Sequence, residues 1–231
     1  MLLTETIIGN ATLYLADCYQ VLQAADLHFD AIVTDPPYDF QTSGGGIFRR
    51  NRTVMDQIAE HGLDQGFDMQ ALPINRGKSA VFFCHNDQLP DLLAVLRETF
   101  EQFAVCQWHK SNPMPVANKH YKPDTEFYVH AWRRGGHPIG ELRDLGRYIV
   151  TPVGKSDFDH PTVKPLAVMA KIIKNVQGHT ILDPFMGSGS TGIAAVRAGK
   201  NFIGIEKNPA FFDIAVNRFM SINREPMMAF S

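Results

Sequence analysis

The segment from Thr180 to Asn208, TILDPFMGSGSTGIAAVRAGKNFIGIEKN, restricts the fold more than any other stretch of the chain. An apolar run ends at Asp183. A turn holding Gly187, Gly189 and Gly192 follows, then a helical run over Thr191–Ala198, then a second apolar run, Phe202–Ile205, closed by Glu206. Strand, glycine turn, helix, strand is a βαβ unit, and a βαβ unit commits its two strands to a parallel sheet. The glycines let the chain turn sharply and let backbone N–H groups approach a ligand at a helix N-terminus, where the dipole favours an anion.

The rest of the chain repeats this alternation. Strands are expected at Ala11–Ala16, Phe29–Thr34, Ser79–Cys84, Phe103–His109, Thr125–Arg133, Thr180–Leu182 and Phe202–Ile205, and helices at Tyr19–Ala25, Gln88–Phe100, Leu166–Val176, Thr191–Ala198 and Ala210–Met220. In the last helix Phe211, Ile214, Ala215 and Phe219 recur near the helical period, and Asn208-Pro209 is a cap followed by a first-turn proline. Strands alternating with helices predict an α/β domain. No helix separates Phe103–His109 from Thr125–Arg133, so that pair is expected to be antiparallel. The 231 residues suit a single domain. Three connections, about 39–78, 110–124 and 134–160, are long for a compact domain, as functional loops are.

Charge excludes little globally and says more locally. The net charge is −2, but residues 109–155 carry eight basic and four acidic side chains, and IFRRNR at 47–52 adds Arg49, Arg50 and Arg52. Loops of this charge around one cleft would suit a phosphate backbone. The three cysteines form no C-x-x-C, the histidines form no H-E-x-x-H, and no run of about 18 apolar residues occurs, so neither a disulfide framework, a metal site nor a membrane span is expected, and a cytoplasmic protein is.

Glu206 lies 19 positions after Gly187, at the end of the next strand, where a carboxylate can accept hydrogen bonds from both ribose hydroxyls. The segment therefore suits an adenosine-containing ligand. A dinucleotide would set pyrophosphate on the loop; S-adenosylmethionine would set its methionine end there, with Asp183 near the sulfonium or amino group. Only about 25 residues follow Glu206, whereas a dinucleotide fold places its glycine unit first, so position favours the second ligand. A second stretch adds a partner for it. FDAIVTDPPYDF, Phe29 to Phe40, ends a strand in Asp35, Pro36, Pro37 and Tyr38. The prolines lack N–H groups and fix φ, leaving a rigid backbone with carbonyls free to accept. With the Asp35 carboxylate and the Tyr38 ring they make a cup suited to a planar group bearing an exocyclic NH2, such as a flipped base.

The pair DPPY and DPFMGSGS resembles the amino-group DNA methyltransferases, which move a methyl group from S-adenosylmethionine to adenine N6 or cytosine N4. HPTVKP, His160 to Pro165, is similar to that family's HPTQKP, with Val163 where Gln is usual; Ser190 stands where Thr is common. LADC, Leu15 to Cys18, resembles a segment near the cofactor adenine, GIE at 204–206 the ribose-binding acid, and QWHKSNPMP with YKPDTEFYVHAWR the hairpin region. The order, catalytic motif before cofactor loop, is that of the beta group. The resemblance implies a Rossmann-like, circularly permuted sheet of about seven strands, one catalytic domain over 1–231, and DNA-contact loops at the three long connections. Ala11–Ala16 should then lie beside the strand ending at Glu206, with Asp17, Asp35, Asp183 and Glu206 along one edge.

Site residues follow from the resemblance. Asp35 and the Pro36 carbonyl would accept the amine hydrogens, Pro37 would stiffen the cup and Tyr38 would stack on the base. Asp17, Cys18, Asp183, Pro184, Phe185, Gly187, Ser188, Gly189, Ser190, Thr191 and Glu206 would surround the cofactor together with Asp35. His160, Thr162 and Lys164 would hold its methionine carboxylate and neighbouring atoms. Arg49, Arg50, Arg52, Lys110, Lys119 and Lys122 would meet double-stranded DNA. Phe40 and Phe185 fit a base or adenine pocket and fit plain core equally well. A homodimer and a cognate restriction endonuclease are conceivable partners. Competing readings are cytosine N4 as target, another acceptor such as RNA or a protein glutamine amide, a catalytically silent DNA-binding module, and a nicotinamide dehydrogenase. Replacing Asp35 by Ala is expected to abolish methyl transfer while cofactor binding persists; a tritiated-methyl assay beside calorimetry checks both halves, and undiminished turnover would remove Asp35 from the chemistry.

Overall fold

The structure, a computed structural model, describes residues 4–37, 67–113, 115, 121–154 and 163–224. Nine strands among these residues form one mixed sheet: β1 (Thr4–Ile8), β2 (Ala11–Leu15), β3 (Ala31–Thr34), β4 (Ser79–Cys84), β5 (Gln102–Lys110), β6 (Thr125–Trp132), β7 (Tyr148–Thr151), β8 (Thr180–Asp183) and β9 (Asn201–Glu206). Their spatial order is β1-β2-β9-β8-β3-β4-β6-β5-β7. Five helices among the same residues accompany them: α1 (Cys18–Ala24), α2 (Leu89–Thr99), α3 (Leu166–Asn175), α4 (Ser190–Arg197) and α5 (Pro209–Arg224).

The sequence explains why the middle of this sheet is parallel. All four residues of β3 and all six of β4 are buried, which is how a strand covered on both faces reads. Their side chains alternate between two cores. Ala31, Val33, Val81 and Phe83 join the cluster that packs under α3, α4 and α5, while Ile32, Ala80, Phe82 and Cys84 join the one under α1 and α2. Helices thus cover both faces.

The register bears out the rearranged order. β2 runs parallel to β9, pairing Leu15 with Glu206, and β8 lies between β9 and β3. β6 is antiparallel to both β4 and β5, as the missing helix implies. Two edge strands were not expected. β1 turns back on β2, and β7, parallel to β5, arises within the stretch 134–160 read as connection. Both are short, half-exposed and weakly patterned.

Packing is tight where α4 crosses β9. A Cβ on Gly192 would lie 2.4 Å from the Phe202 ring and 2.5 Å from the Phe219 ring, and those rings stack at 5.6 Å. No side chain fits there without moving an aromatic. Gly192→Ala is therefore expected to lower unfolding free energy by about 2 kcal/mol through overpacking, read as a lower urea midpoint at unchanged slope; an unchanged midpoint would show that the interface yields freely.

Candidate active site

β2, β9, β8, β3 and β4 all point the same way, so Leu15, Glu206, Asp183, Thr34 and Cys84 end on one edge of the sheet. A cleft of about 840 Å³ runs along that edge, and Asp17, Asp35, Asp183 and Glu206 all line it. Open α/β sheets bind ligands there because the loops beyond the strands diverge around a crevice. Pro36, Pro37, Pro184, Phe185, Gly187, Ser188, Ser190 and Thr191 also line the cleft. The segments with the two most specific motifs thus share one cavity.

Local structure fixes each group. Gly187 and Gly189 adopt φ of 52° and 82°, and Gly189 caps the start of α4 in the left-handed region. Gly189 is turned away from the cleft: a Cβ there would meet Phe219 at 3.0 Å. The Glu206 carboxylate accepts from the Gly187 N–H at 2.9 Å and the Asn208 N–H at 2.7 Å, which locks it against the glycine turn and leaves further lone pairs. Arg218 of α5 braces the turn from behind, donating to the Ser188 carbonyl and to Ser188 Oγ at 3.2 Å and Ser190 Oγ at 3.3 Å. Asp17 caps α1, accepting from the Tyr19 N–H at 3.0 Å. Burial, helped by the Asp17 charge, pushes the Cys18 thiol up to about 12, so this sulfur is a neutral wall and not a nucleophile.

Asp183 is the most buried carboxyl of the group. It accepts from Thr34 Oγ1 at 2.6 Å and from the Phe185 N–H at 3.1 Å. Burial raises its pKa to about 7 against those hydrogen bonds and one from Thr191, and the charge on Asp35 adds to the rise. The rim carries three further acids, Asp68, Asp87 and Asp91, so among the described residues seven carboxylates line the cleft against two lysines, Lys164 and Lys207. That balance welcomes a cation and opposes a pyrophosphate.

Lys164 occupies an unexpected place. It is 7% exposed, and its ammonium sits between Asp35 Oδ2 and, at 3.2 Å, Glu126 Oε2, over the Phe83 ring. Glu126 Oε1 meets Lys110 Nζ at 2.7 Å. Burial acts to lower the Lys164 pKa, but the Asp35 and Glu126 charges outweigh it and hold the ammonium above its ordinary value.

Comparison with known proteins decides the family. A family model described as DNA methylase matches residues 143–217, from just before β7 into α5. The Type II methyltransferase M2.LlaDCHI of Lactococcus lactis subsp. cremoris is 27% identical, over 90% of this chain and 89% of its own. M2.MboI of Moraxella bovis is 26% identical over 92% and 89%. The solved structure of M1.HpyAVI in complex with S-adenosylmethionine is 30% identical over 90% of this chain and 99% of its own, with a TM-score of 0.64. The chain belongs to the amino-group DNA methyltransferases. It is accordingly an S-adenosylmethionine-dependent enzyme acting on DNA. The cleft's acidic lining suits a cationic donor.

Within this methyltransferase the expected site residues divide. Asp17, Cys18, Asp35, Pro36, Pro37, Lys164, Asp183, Pro184, Phe185, Gly187, Ser188, Ser190, Thr191 and Glu206 line the one cleft. Two cations are held in ion pairs. Lys164, expected to hold the cofactor's methionine carboxylate and neighbouring atoms, lines the cleft with its ammonium against Asp35 and Glu126. Lys110, expected at DNA, is 17% exposed and turned into the same ion network, because β5 ends on the same sheet edge as β4, next to the first residues of β6. Lys122 is exposed. Tyr38, Phe40, Arg49, Arg50, Arg52, Lys119, His160 and Thr162 lie outside the described residues. Residues that the sequence did not single out are Glu126, Phe67 and the Asp87–Asp91 rim; Cys84 ending β4 was the signal for the rim, since whatever follows it must reach the same edge.

Among the described residues no helix is long and apolar enough to cross a membrane. The raised Asp183 has a measurable consequence. The folded state prefers its protonated form, so the stability it contributes is complete below the ordinary carboxyl range and is lost as pH rises through about 7. The melting temperature of the cofactor-free enzyme is expected to fall relative to Asp183→Asn by about 5 °C or more between pH 5 and pH 8. Each pH unit by which the carboxyl's titration is displaced corresponds to ~1.4 kcal/mol, and each kcal/mol moves the melting temperature by about 2–4 °C. Parallel pH profiles for the two proteins would place the group's titration elsewhere.

Proposed function

We propose that this methyltransferase modifies adenine at N6 in a short duplex site, acting on a base turned out of the stack. The observation that carries the reading is the shared cleft: the Asp35-Pro36-Pro37 strand end and the glycine turn line one cavity on adjacent strands. When bound, S-adenosylmethionine would supply an electrophilic methyl carbon and depart as S-adenosylhomocysteine with the carbon–sulfur electron pair, the methylated amine giving its surplus proton to water. The amine is a poor nucleophile because its lone pair is conjugated into the ring. Asp35 and the Pro36 carbonyl accept its two hydrogens and draw the nitrogen toward tetrahedral geometry. Tyr38 stacks on the base. The gain comes from aligning nitrogen, carbon and sulfur rather than from new charge, because the sulfonium loses charge as the methyl moves.

The remaining roles are assigned on the same basis. Glu206 accepts from the ribose, Asp17 and Cys18 flank the adenine side, and the turn from Asp183 to Thr191, including Pro184, Phe185, Gly187, Ser188, Gly189 and Ser190, holds the methionine end with His160 and Thr162. Asp35 stands between the two ligands. Lys164 acts on Asp35 rather than on the cofactor. One catalytic domain spans 1–231, with stretches 39–78, 110–124 and 134–160 contacting DNA through Arg49, Arg50, Arg52, Lys119 and Lys122. The Type II designation of the relatives supports a cognate endonuclease as partner. The exposed Tyr148 and Val150 on edge strand β7 support pairing with a second copy.

DNA from cells expressing the enzyme, read by single-molecule sequencing, is expected to carry N6-methyladenine at one short recurring motif. N4-methylcytosine at such a motif would move the target, and unmodified DNA from cells whose expressed enzyme is soluble and binds S-adenosylhomocysteine would remove the reading. S-adenosylhomocysteine is expected to raise the melting temperature where NAD leaves it unchanged.

A further inference from the structure

We propose that Glu126 is a positioning residue for methyl transfer: through Lys164 it holds the Asp35 carboxylate in the orientation that meets the target amine. The inference rests on Asp35 being the amine's acceptor.

Four charged side chains form an alternating row along the cleft edge. Asp35 Oδ2 meets Lys164, Lys164 meets Glu126 Oε2 at 3.2 Å, and Glu126 Oε1 meets Lys110 at 2.7 Å. Lys110 also lies 5.3 Å from the Trp108 ring centre, and Lys164 4.9 Å from that of Phe83. The row is neutral in sum but uneven in exposure. Lys164 is 7% exposed, Asp35 and Glu126 are 21% and 25%. An ammonium so withdrawn from water needs opposite charge beside it.

One carboxylate would satisfy that need, and the second changes the geometry. An ammonium is a point charge with no planar preference of its own. In the low-dielectric surroundings of a buried site, a carboxylate in contact attracts it strongly. With Asp35 alone, Lys164 would settle wherever that pull was greatest. With Glu126 opposite, the ammonium is drawn from two sides, closer to Asp35 Oδ2 than to Glu126, and closed in by the Phe83 ring. The Oδ2 oxygen of Asp35 is held in place in turn. Lys110 anchors Glu126 from the far side, and the Lys110 N–H bonds the Asp124 carbonyl at 2.6 Å, so the anchor is part of the β5–β6 ladder.

The topology makes this a device for Asp35 and not general cement. β6 is antiparallel to its neighbours, so its first residues, Thr125 and Glu126, reach the same edge as the last residues of β3 and β4. Asp35 and Lys164 line the cleft; Glu126 is not among the lining residues. Glu126 therefore acts on the ligands through Lys164. Stability is a poor reason for such a row, because buried ion pairs often contribute no more than apolar residues of similar volume.

Glu126→Gln is expected to lower kcat by about tenfold or more, with KM for DNA and the dissociation constant of S-adenosylhomocysteine within about threefold of wild type, the split expected when ground-state binding is untouched. Glu126→Asp, which keeps the charge, should recover about threefold or more of that loss. Lys164→Met should also lower kcat, and the Glu126→Gln/Lys164→Met pair should be no worse than Lys164→Met, because Glu126 acts only through the lysine. Wild-type kcat in Glu126→Gln, or a double variant whose losses multiply, would overturn the proposal. So would a kcat loss that follows a matching drop in the urea midpoint. Should Glu126→Gln fail to fold, Glu126→Gln/Lys110→Met removes one charge of each sign and is held to the same kcat and KM outcomes. Asp35→Ala runs alongside: if it retains activity, the acceptor reading itself fails; if it is dead while Glu126→Gln turns over normally, only the role of Glu126 fails.

Discussion

Burial of the central strands on both faces is the constraint from which the site follows. β3 and β4 expose no side chain along their length, so neither can present a functional group except at its end. A parallel strand leaves its carboxyl-end loop where helices on both faces diverge. Every polar group that must meet ligand is thereby driven to one edge, and the acids that end or follow β2, β3, β8 and β9 are the result. The permuted chain order does not disturb this. β3 precedes β8 by about 150 residues yet pairs with it, because sheet position is set by which apolar faces match and not by order of synthesis.

Concentrating acids at one edge creates an electrostatic problem that the fold resolves in several local ways. Glu206 is held by two backbone N–H groups, Asp17 by the N-terminus of α1, and Asp35 by Lys164. Asp183, the most enclosed, is pushed toward its neutral form by burial. The surplus of negative charge left over fits a donor that carries a sulfonium. The same surplus argues against a phosphate-bearing nucleotide, although a glycine turn before a helix N-terminus is the feature such nucleotides use. Here the charge of the walls, and not the shape of the turn, tells the two ligands apart.

How much of this was legible depended on whether a feature was local in the chain. The βαβ unit was, because glycine spacing, the helix start and the terminal acid all lie within 29 residues. The Asn208-Pro209 cap was, and in the structure Asn208 Oδ1 accepts from the Ala210 N–H at 2.9 Å. β1 and β7 were not, since a short edge strand with one solvated face has neither a continuous apolar run nor strict alternation. Counting charge along 109–155 misplaced Lys110, and it also counted Arg133, whose guanidinium is tied to the carbonyls of Asn75, Gly77 and Thr99. Net charge on a segment does not reveal which way its side chains point. Glu126 escaped notice for a related reason: the rule that strand ends carry chemistry refers to carboxyl ends, and an antiparallel strand brings its amino end to the same place.

Lys164 joins these strands of the fold. It lies two residues before α3, in Val163-Lys164-Pro165, and no periodicity marks it as buried. Its ammonium closes the gap between the parallel half of the sheet, through Asp35 after β3, and the antiparallel half, through Glu126 on β6. The segment that enters α3 is thus tied to the strand end that carries Asp35. The Asp35 strand end and the chain before α3 are therefore joined through a single buried charge.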